Sequence, residues 1–278
     1  MKQRSLRVRL LIDGLAKIVG VLVLSALLIV LAAIFIYIYL GAAQGFRLEM
    51  VLTTGNTTSG GLLNALVGTM LLTGLAVSIA SVLGVFTAID LSAYAGRALA
   101  SVLRTGIDTM AAVPSIVLGL FGYLVFVMWF HMGFSLLAGS LTLSLMMVPY
   151  VARSGEQSMS AVEREVVHAA YALGASKWQV VTRILLKYAR PGIVSSVLLA
   201  ASIGAGETAQ LIYTAGWNPG FPSGLTGSQV GYLTYVIWAG INQPSAYSHA
   251  LAFVSSALLV TMVIGLLIAS RKLLQVKS

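Results

Sequence analysis

The chain has 278 residues, of which 58 % are hydrophobic and 9 % charged, and its formal net charge is +9. A soluble globular domain carries roughly a quarter of its residues as Asp, Glu, Lys or Arg, so this composition excludes a water-covered surface and with it an ordinary soluble enzyme. The basic residues lie between long apolar runs rather than in one patch, which points to membrane topology and away from nucleic acid. Cysteine is absent, which excludes a disulfide framework, thiolate chemistry and Cys-based metal sites.

A membrane-crossing helix needs about 20 apolar residues. The first apolar run exceeds the roughly 7–15 residues of a signal-peptide core and lacks a clear small-residue cleavage site, so it predicts a retained helix, about Lys17 to Leu40. Thr53 to Gly61 is polar loop, and the second span follows over Leu66 to Ile89. The charge-free stretch from Thr109 to Ala152 is too long for one crossing. A bend at His131-Met132-Gly133 divides it into a third span near Gly106 to Phe130 and a fourth near Leu136 to Arg153. Pro191-Gly192 opens a fifth, ending near Tyr213, and the sixth runs from about His249 to Ser270. Barrel strands would need polar–apolar alternation, which these runs lack. The fold class is therefore all-α, a polytopic membrane protein with six transmembrane helices in a lipid bilayer.

Six crossings put both termini on one side. Sixteen of the seventeen Lys and Arg residues fall in the N-terminal segment, the loops after spans two and four, and the tail, against Arg47 alone on the other side. The positive-inside rule makes those four segments, and both termini, cytoplasmic.

The loop after span four, 154–190, holds two helical patterns. Val162, Val166, Ala169/Ala170 and Leu173 recur at three and four; Gly174-Ala175-Ser176 interrupts; Val180, Val181, Ile184, Leu185 and Tyr188 resume. Ser176 is placed to cap the second helix. Two amphipathic helices resting on the membrane would read this way, and so would a docking element for a soluble partner.

The run His168-Ala169-Ala170-Tyr171-Ala172-Leu173-Gly174-Ala175-Ser176-Lys177-Trp178, with Ile184 ten residues after the glycine, resembles the "EAA" loop of permease subunits of binding-protein-dependent ABC importers. Ala112-Val113-Pro114-Ser115-Ile116-Val117-Leu118-Gly119-Leu120 and Gly206-Glu207-Thr208-Ala209 resemble the "PSIVxGL" and "GETAP" segments of the phosphate-type (PstA-type) permeases, and Gly60 to Thr69 resembles the start of their permease domain. Ser228 to Gly240, closed by Asn242-Gln243-Pro244, resembles their short re-entrant piece. The chain departs from the pattern at His168, where the family has Glu, at Lys187, where it has Pro, and at Ile203, where phosphate-type permeases usually carry an arginine.

The resemblance implies a type I ABC importer permease fold. Residues 1–59 would be an N-terminal cytoplasmic segment, first helix and external loop; 60–271 the transmembrane domain; and 272–278 a cytoplasmic tail, in a bacterial or archaeal cell membrane. It implies ATPase coupling through His168, Ala169, Ala170, Gly174, Ala175, Ser176 and Lys177. The implied partners are a homologous PstC-type permease, a cytosolic ABC ATPase dimer that uses ATP and Mg, and an extracytoplasmic phosphate-binding protein. The chain has no Gly-rich run ending in Gly-Lys-Ser or Gly-Lys-Thr, so it is expected to hold no cofactor and to catalyse nothing itself. Permeases for molybdate, tungstate or sulfate share the docking loop, and Ile203 keeps them in view.

Within the spans Glu207 is the acid set deepest, and such a carboxylate must face protein or water, because exposure at mid-membrane costs about 3 kcal/mol. It either locks two helices together or, with Thr208, lines a path. Pro114 bends the third span. With Ser115, Gly119 and Gly122 it forms a small-residue face suited to a pore wall or to packing within the subunit. Arg153 either snorkels to the headgroups or guides a released anion. An intramembrane enzyme is disfavoured, because His131 and His249 lie near one surface and His168 near the other.

On this Cys-free chain, Thr57→Cys and Ser223→Cys should react with an impermeant maleimide added outside sealed cells, and Ser101→Cys and Lys177→Cys should not. Labelling at position 177 from outside would overturn the orientation.

Overall fold

The computed structural model describes residues 2–275, with side chains described over 12–273. Among the described residues there is no strand, only one isolated bridge between Gly55 and Gly60. The helices in chain order are α1 Lys2–Gly45, α2 Leu48–Leu52, α3 Leu63–Tyr94, α4 Arg97–Ala112, α5 Ser115–Trp129, α6 Leu136–Ser160, α7 Arg164–Ala172, α8 Lys177–Ala205, α9 Ala209–Thr214, α10 Leu233–Ile241 and α11 Ala246–Gln275.

Five helices, α1, α3, α6, α8 and α11, are long and apolar enough to cross a membrane, and a sixth crossing exists if α4 and α5 count as one. Five or six crossings are therefore present, and two of the six expected are not continuous helices. At the third, α4 and α5 meet at 98°. Val113 is extended (φ −68°, ψ 127°) because the ring of Pro114 disfavours helical backbone in the residue before it. At the fifth, the helix neither starts at Pro191 nor reaches Tyr213. It starts at Lys177, passes through Pro191 and stops at Ala205, and a separate short α9 follows. Residues 177–190 are polar on one side, but Val180, Val181, Leu185 and Ala189 are buried, so the stretch extends α8. Residues 154–160 likewise complete α6.

Small residues let the central helices close on one another, the usual source of attraction between helices in lipid. A Cβ on Gly84 of α3 would stand 2.7 Å from Val151 Cβ of α6, one on Gly155 would stand 2.8 Å from Ala88, and one on Gly139 2.9 Å from Leu72. The hydroxyl of Ser140 donates to the Leu72 carbonyl at 3.2 Å. Around this seam lies the main core, including Leu72, Ala76, Ala80, Leu143, Met147, Val151 and Ala200. The Ser195 and Ser270 hydroxyls, 2.6 Å apart, tie α8 to α11. By contrast α1 touches the bundle along one edge. Gly41 and Gly45 abut Phe253 and Ala250, and Tyr39 hydrogen-bonds Thr261 at 2.8 Å, while Leu22, Ile29 and Ile36 are exposed. At nine residues α10 is about 14 Å long, too short to cross, and it folds back onto α11 through Gly240, whose Cβ would sit 2.7 Å from the Ser248 carbonyl oxygen.

Gly84→Val should force α3 and α6 apart at a cost of about 1–3 kcal/mol and lower the thermal midpoint of the purified protein. Gly74→Val, with nothing within 4 Å of its Cβ, should leave the midpoint unchanged.

Candidate functional site

The two helix breaks meet. Gly204 of α8 packs against Met147 of α6, eleven residues from Leu136 and thirteen from Ser160, so the Gly206–Thr208 break lies about half-way along α6. The other break, Val113–Pro114, presents Ser115 there, beside the Glu207 carboxylate. From a third side, Thr234 of α10 donates its hydroxyl to the Glu207 backbone carbonyl at 2.8 Å. Beyond the breaks α5 lies on α9 through Gly119, whose Cβ would be 2.9 Å from Gln210 Cα. Ser115, Glu207 and Thr208 are half-buried, and Pro114 and Gly206 are exposed. Gln210 is fully buried; its Nε2 donates to Met146 Sδ at 3.1 Å, and its Oε1 has no partner. Among the described residues no ion pair involves Glu207. Ile203 is one turn before it. The arrangement offers hydroxyls, a carboxylate and the first amides of two helices beside an open face, and no fixed cation.

Four of the expected path residues, Pro114, Ser115, Glu207 and Thr208, therefore come together, and Arg153 does not join them. It lies six residues beyond Met147, about 9 Å further along α6. There it forks onto Asp108 of α4, with Nε–Oδ1 2.9 Å and Nη2–Oδ2 2.6 Å, and reaches Glu156 at 3.3 Å. Glu156, 6 % exposed, also receives Arg104 at 2.6 Å. The Arg153 guanidinium is thus held by two carboxylates, Asp108 and Glu156. Arg104, Asp108, Glu156, Thr234 and Gln210 escaped the sequence reading. The i,i+3 spacing of Arg153 and Glu156 was a visible signal, whereas Asp108 lies 45 positions from its partner.

At the far end of α6 from Leu136, the segment between α6 and α8 is built by local hydrogen bonds. Gly174 adopts φ +80°. Its N–H donates to the Tyr171 carbonyl at 3.0 Å, and that of Ala175 to the Ala170 carbonyl at 3.0 Å, the paired closure that ends α7 with a left-handed residue. Ser176 then caps α8 with a reciprocal box: Gln179 N–H donates to Ser176 Oγ at 3.3 Å, and Ser176 N–H to Gln179 Oε1 at 2.8 Å. Ala170 and Ala175 lean on a small core containing Met159, Val180 and Val181. Lys177 Nζ sits 4.6 Å over the Tyr94 ring at the end of α3. His168, Ala169, Gly174, Ser176 and Lys177 are exposed, as are Tyr171 (44 %), Trp178 (63 %) and, most of all, Leu173 (89 %). Leu173 belongs to the apolar pattern of the sequence and is nonetheless not buried. Its place directly before the glycine puts it outside.

Residues 80–275 match the family described as binding-protein-dependent transport system inner membrane component. The chain is 40 % identical over 231 residues to the phosphate transport system permease protein PstA 2 of Mycobacterium bovis, covering 83 % of this chain and 77 % of that one. It is 38 % identical to PstA of Yersinia pestis, over 76 % and 71 % of the two chains. It is 33 % identical to a probable PstA of Methanocaldococcus jannaschii, over 90 % and 88 %. Among solved structures, a chain of the MetNI methionine ABC transporter in inward-facing conformation superposes with TM-score 0.64 at 18 % identity, over 78 % and 96 % of the chains. A chain of a bacterial alginate ABC transporter superposes with TM-score 0.63 at 12 % identity, over 95 % and 94 %. The shared fold is that of type I ABC importer permeases, and the family is one of transport components rather than of catalysts. The chain belongs to the inner membrane components of binding-protein-dependent transport systems.

Proposed function

We propose that this chain is the permease subunit of an ATP-driven phosphate importer and forms half of its translocation path. The observation that carries the path is the meeting of the two helix breaks at Ser115 and Glu207; the substrate class follows the likeness to phosphate permeases over most of the chain. Pro114, Ser115, Glu207 and Thr208 line the route. A protonated phosphate oxygen donates to the Glu207 carboxylate, and the Ser115 and Thr208 hydroxyls take the remaining lone pairs. Since position 203 is isoleucine, the neutralising cation comes from a second, homologous PstC-type permease. Arg153 is given a structural part, for the reason above.

The α7 end is cytosolic in this reading, as are both termini. His168, Ala169, Ala170, Gly174, Ala175, Ser176 and Lys177 present the α7 turn to a cytosolic ABC ATPase dimer, where ATP and Mg²⁺ act, and an extracytoplasmic phosphate-binding protein delivers the anion at the other end. The same isoleucine favours a second reading, a permease for molybdate, tungstate or sulfate, because it removes the charge that phosphate-type members use.

In proteoliposomes with the partner subunits, Glu207→Gln should lower radiolabelled phosphate uptake at least ten-fold with assembly intact. If Glu207 only fastened helices, the amide would serve nearly as well, since such contacts average about 0.6 kcal/mol, and near-normal uptake would reject the path. Wild-type uptake of molybdate or sulfate in preference to phosphate would establish the second reading.

Gly174→Val tests the docking turn. A Cβ at that position meets nothing within 4 Å, so the effect is backbone strain alone, about 1–3 kcal/mol for a β-branched residue at positive φ. The variant should insert normally and lose co-purifying ATPase. Retention of the ATPase at wild-type stoichiometry with unchanged stimulated hydrolysis would contradict the assignment.

A further inference from the structure

Between the α7 turn and the mid-bundle break runs one chain of contacts held by charge. Four residues form it: Arg104 and Asp108 on α4, Arg153 and Glu156 on α6. Arg104 donates Nε to Glu156 Oε1 at 2.7 Å and Arg153 bridges the two acids. Glu156 is four residues from the end of α6, just before the segment that carries α7. Asp108 is seven residues before Ser115, which lies beside Glu207. Besides this network α4 packs through a small cluster of Ala100 and Ile107 with Leu91 of α3 and Ala152 of α6, against which Ala95 and Leu103 lean, and Leu99 and Val102 on α4 are exposed.

We propose that the Arg104–Glu156–Arg153–Asp108 network makes α4 and the end of α6 move as one body, so that displacement of the α7 turn is delivered to the Ser115–Glu207 break. The network consists of positioning residues for the transport step, and the proposal rests on the functional reading above. Packing among two leucines, one isoleucine and three alanines resists sliding weakly, because dispersion contacts can be exchanged for others along the helix. The charged contacts resist it strongly. A fork of two parallel N–H···O bonds fixes both distance and direction, and any slip would leave the buried Glu156 carboxylate unpaired, a costly state in a low-dielectric setting. The network is electrically neutral, two arginines against two acids, so it ties the helices without creating a trap for a passing anion. An element that transmits must be shown to couple and not merely to lie between, which sets the form of the test.

Asp108 is an exposed end of the network (side chain 56 % exposed), so its substitution does not threaten the fold. In proteoliposomes of the full complex, Asp108→Asn should lower uptake at least ten-fold while ATP hydrolysis and ATPase stoichiometry stay within two-fold of wild type. Asp108→Glu, which keeps the charge and the fork, should stay within about three-fold of wild type. On the Cys-free chain, Ile107→Cys with Ala152→Cys, joined by a short reversible thiol cross-linker, should leave wild-type uptake intact and restore uptake to Asp108→Asn, and reduction should abolish the rescue. Wild-type uptake by Asp108→Asn, a cross-link that stops the wild-type complex, or a defect that the cross-link fails to repair would each overturn the proposal. A wild-type complex that carries another oxyanion in place of phosphate would sink the substrate assignment alone, and the same measurements then use that oxyanion.

Discussion

Hydrocarbon offers no partner to a backbone N–H or C=O, so a helix can be interrupted at mid-membrane only where protein or water takes up the freed groups. This chain interrupts two helices at the same height, and the rest of the bundle is arranged around that fact. Pro114 forces one interruption, and α8 ends at the other in Gly206 (φ −86°, ψ −5°). Ser115 stands beside the carboxylate of Glu207 and Thr234 donates to its carbonyl, so α10, too short to cross, supplies the third side. The absent side chain of Gly119 lets α5 approach α9 closely enough for the two half-helices to act as one wall. Behind them the glycines of α3 and α6 pack the scaffold tightly, which leaves the open face of the breaks as a place where polar backbone can meet water.

The α7 turn solves a different problem. None of its helix residues is fully buried, so burial does not set its shape. Shape comes from a positive-φ glycine and a reciprocal serine–glutamine cap, contacts a few residues apart that survive whatever the neighbouring helices do. A surface pre-shaped in this way loses little conformational freedom when a partner seats on it, and it passes force on rather than absorbing it. Lys177 over Tyr94 and Ala175 against the Val180 core join it to α3 and α8 as well as to α6.

The sequence made most of this legible where one residue decides a local conformation. Pro114, Gly174 and Ser176 each declared their turns, and long apolar runs declared the crossings. It was silent where amphipathy imitates a loop. The charges at Lys177, Arg183, Lys187 and Arg190 made 177–190 look like a solvated connection, yet Val180, Val181, Leu185 and Ala189 recur on one side and bury that side against α6 and α3. A proline at 191 then read as a helix start, although its neighbours Lys187 and Arg190 are exposed and the carbonyl it leaves free can reach water. The break after Ala205 was hidden because glycine is common within membrane helices and Gly204 and Gly206 look like packing residues. Asp108 was unreadable for a simpler reason: its partner is on another helix, and no spacing rule connects positions 45 apart.

The distribution of charge also bears on how such a route would conduct. Arg104 and Arg153 are paired with acids, and the mid-bundle break holds one carboxylate with hydroxyls and no base. An anion crossing there would meet donors of modest strength, amide and hydroxyl, in place of a fixed positive charge. Conduction needs sites strong enough to be entered and weak enough to be left. A full arginine beside the break would lower the energy of the anion within this chain alone. In the proposed route, isoleucine at 203 would leave that contribution to whatever faces the open side, and occupancy would be a property of two facing surfaces instead of one. An anion would then be held only while both surfaces are in register, and a shift of α4 against α8 would be enough to release it.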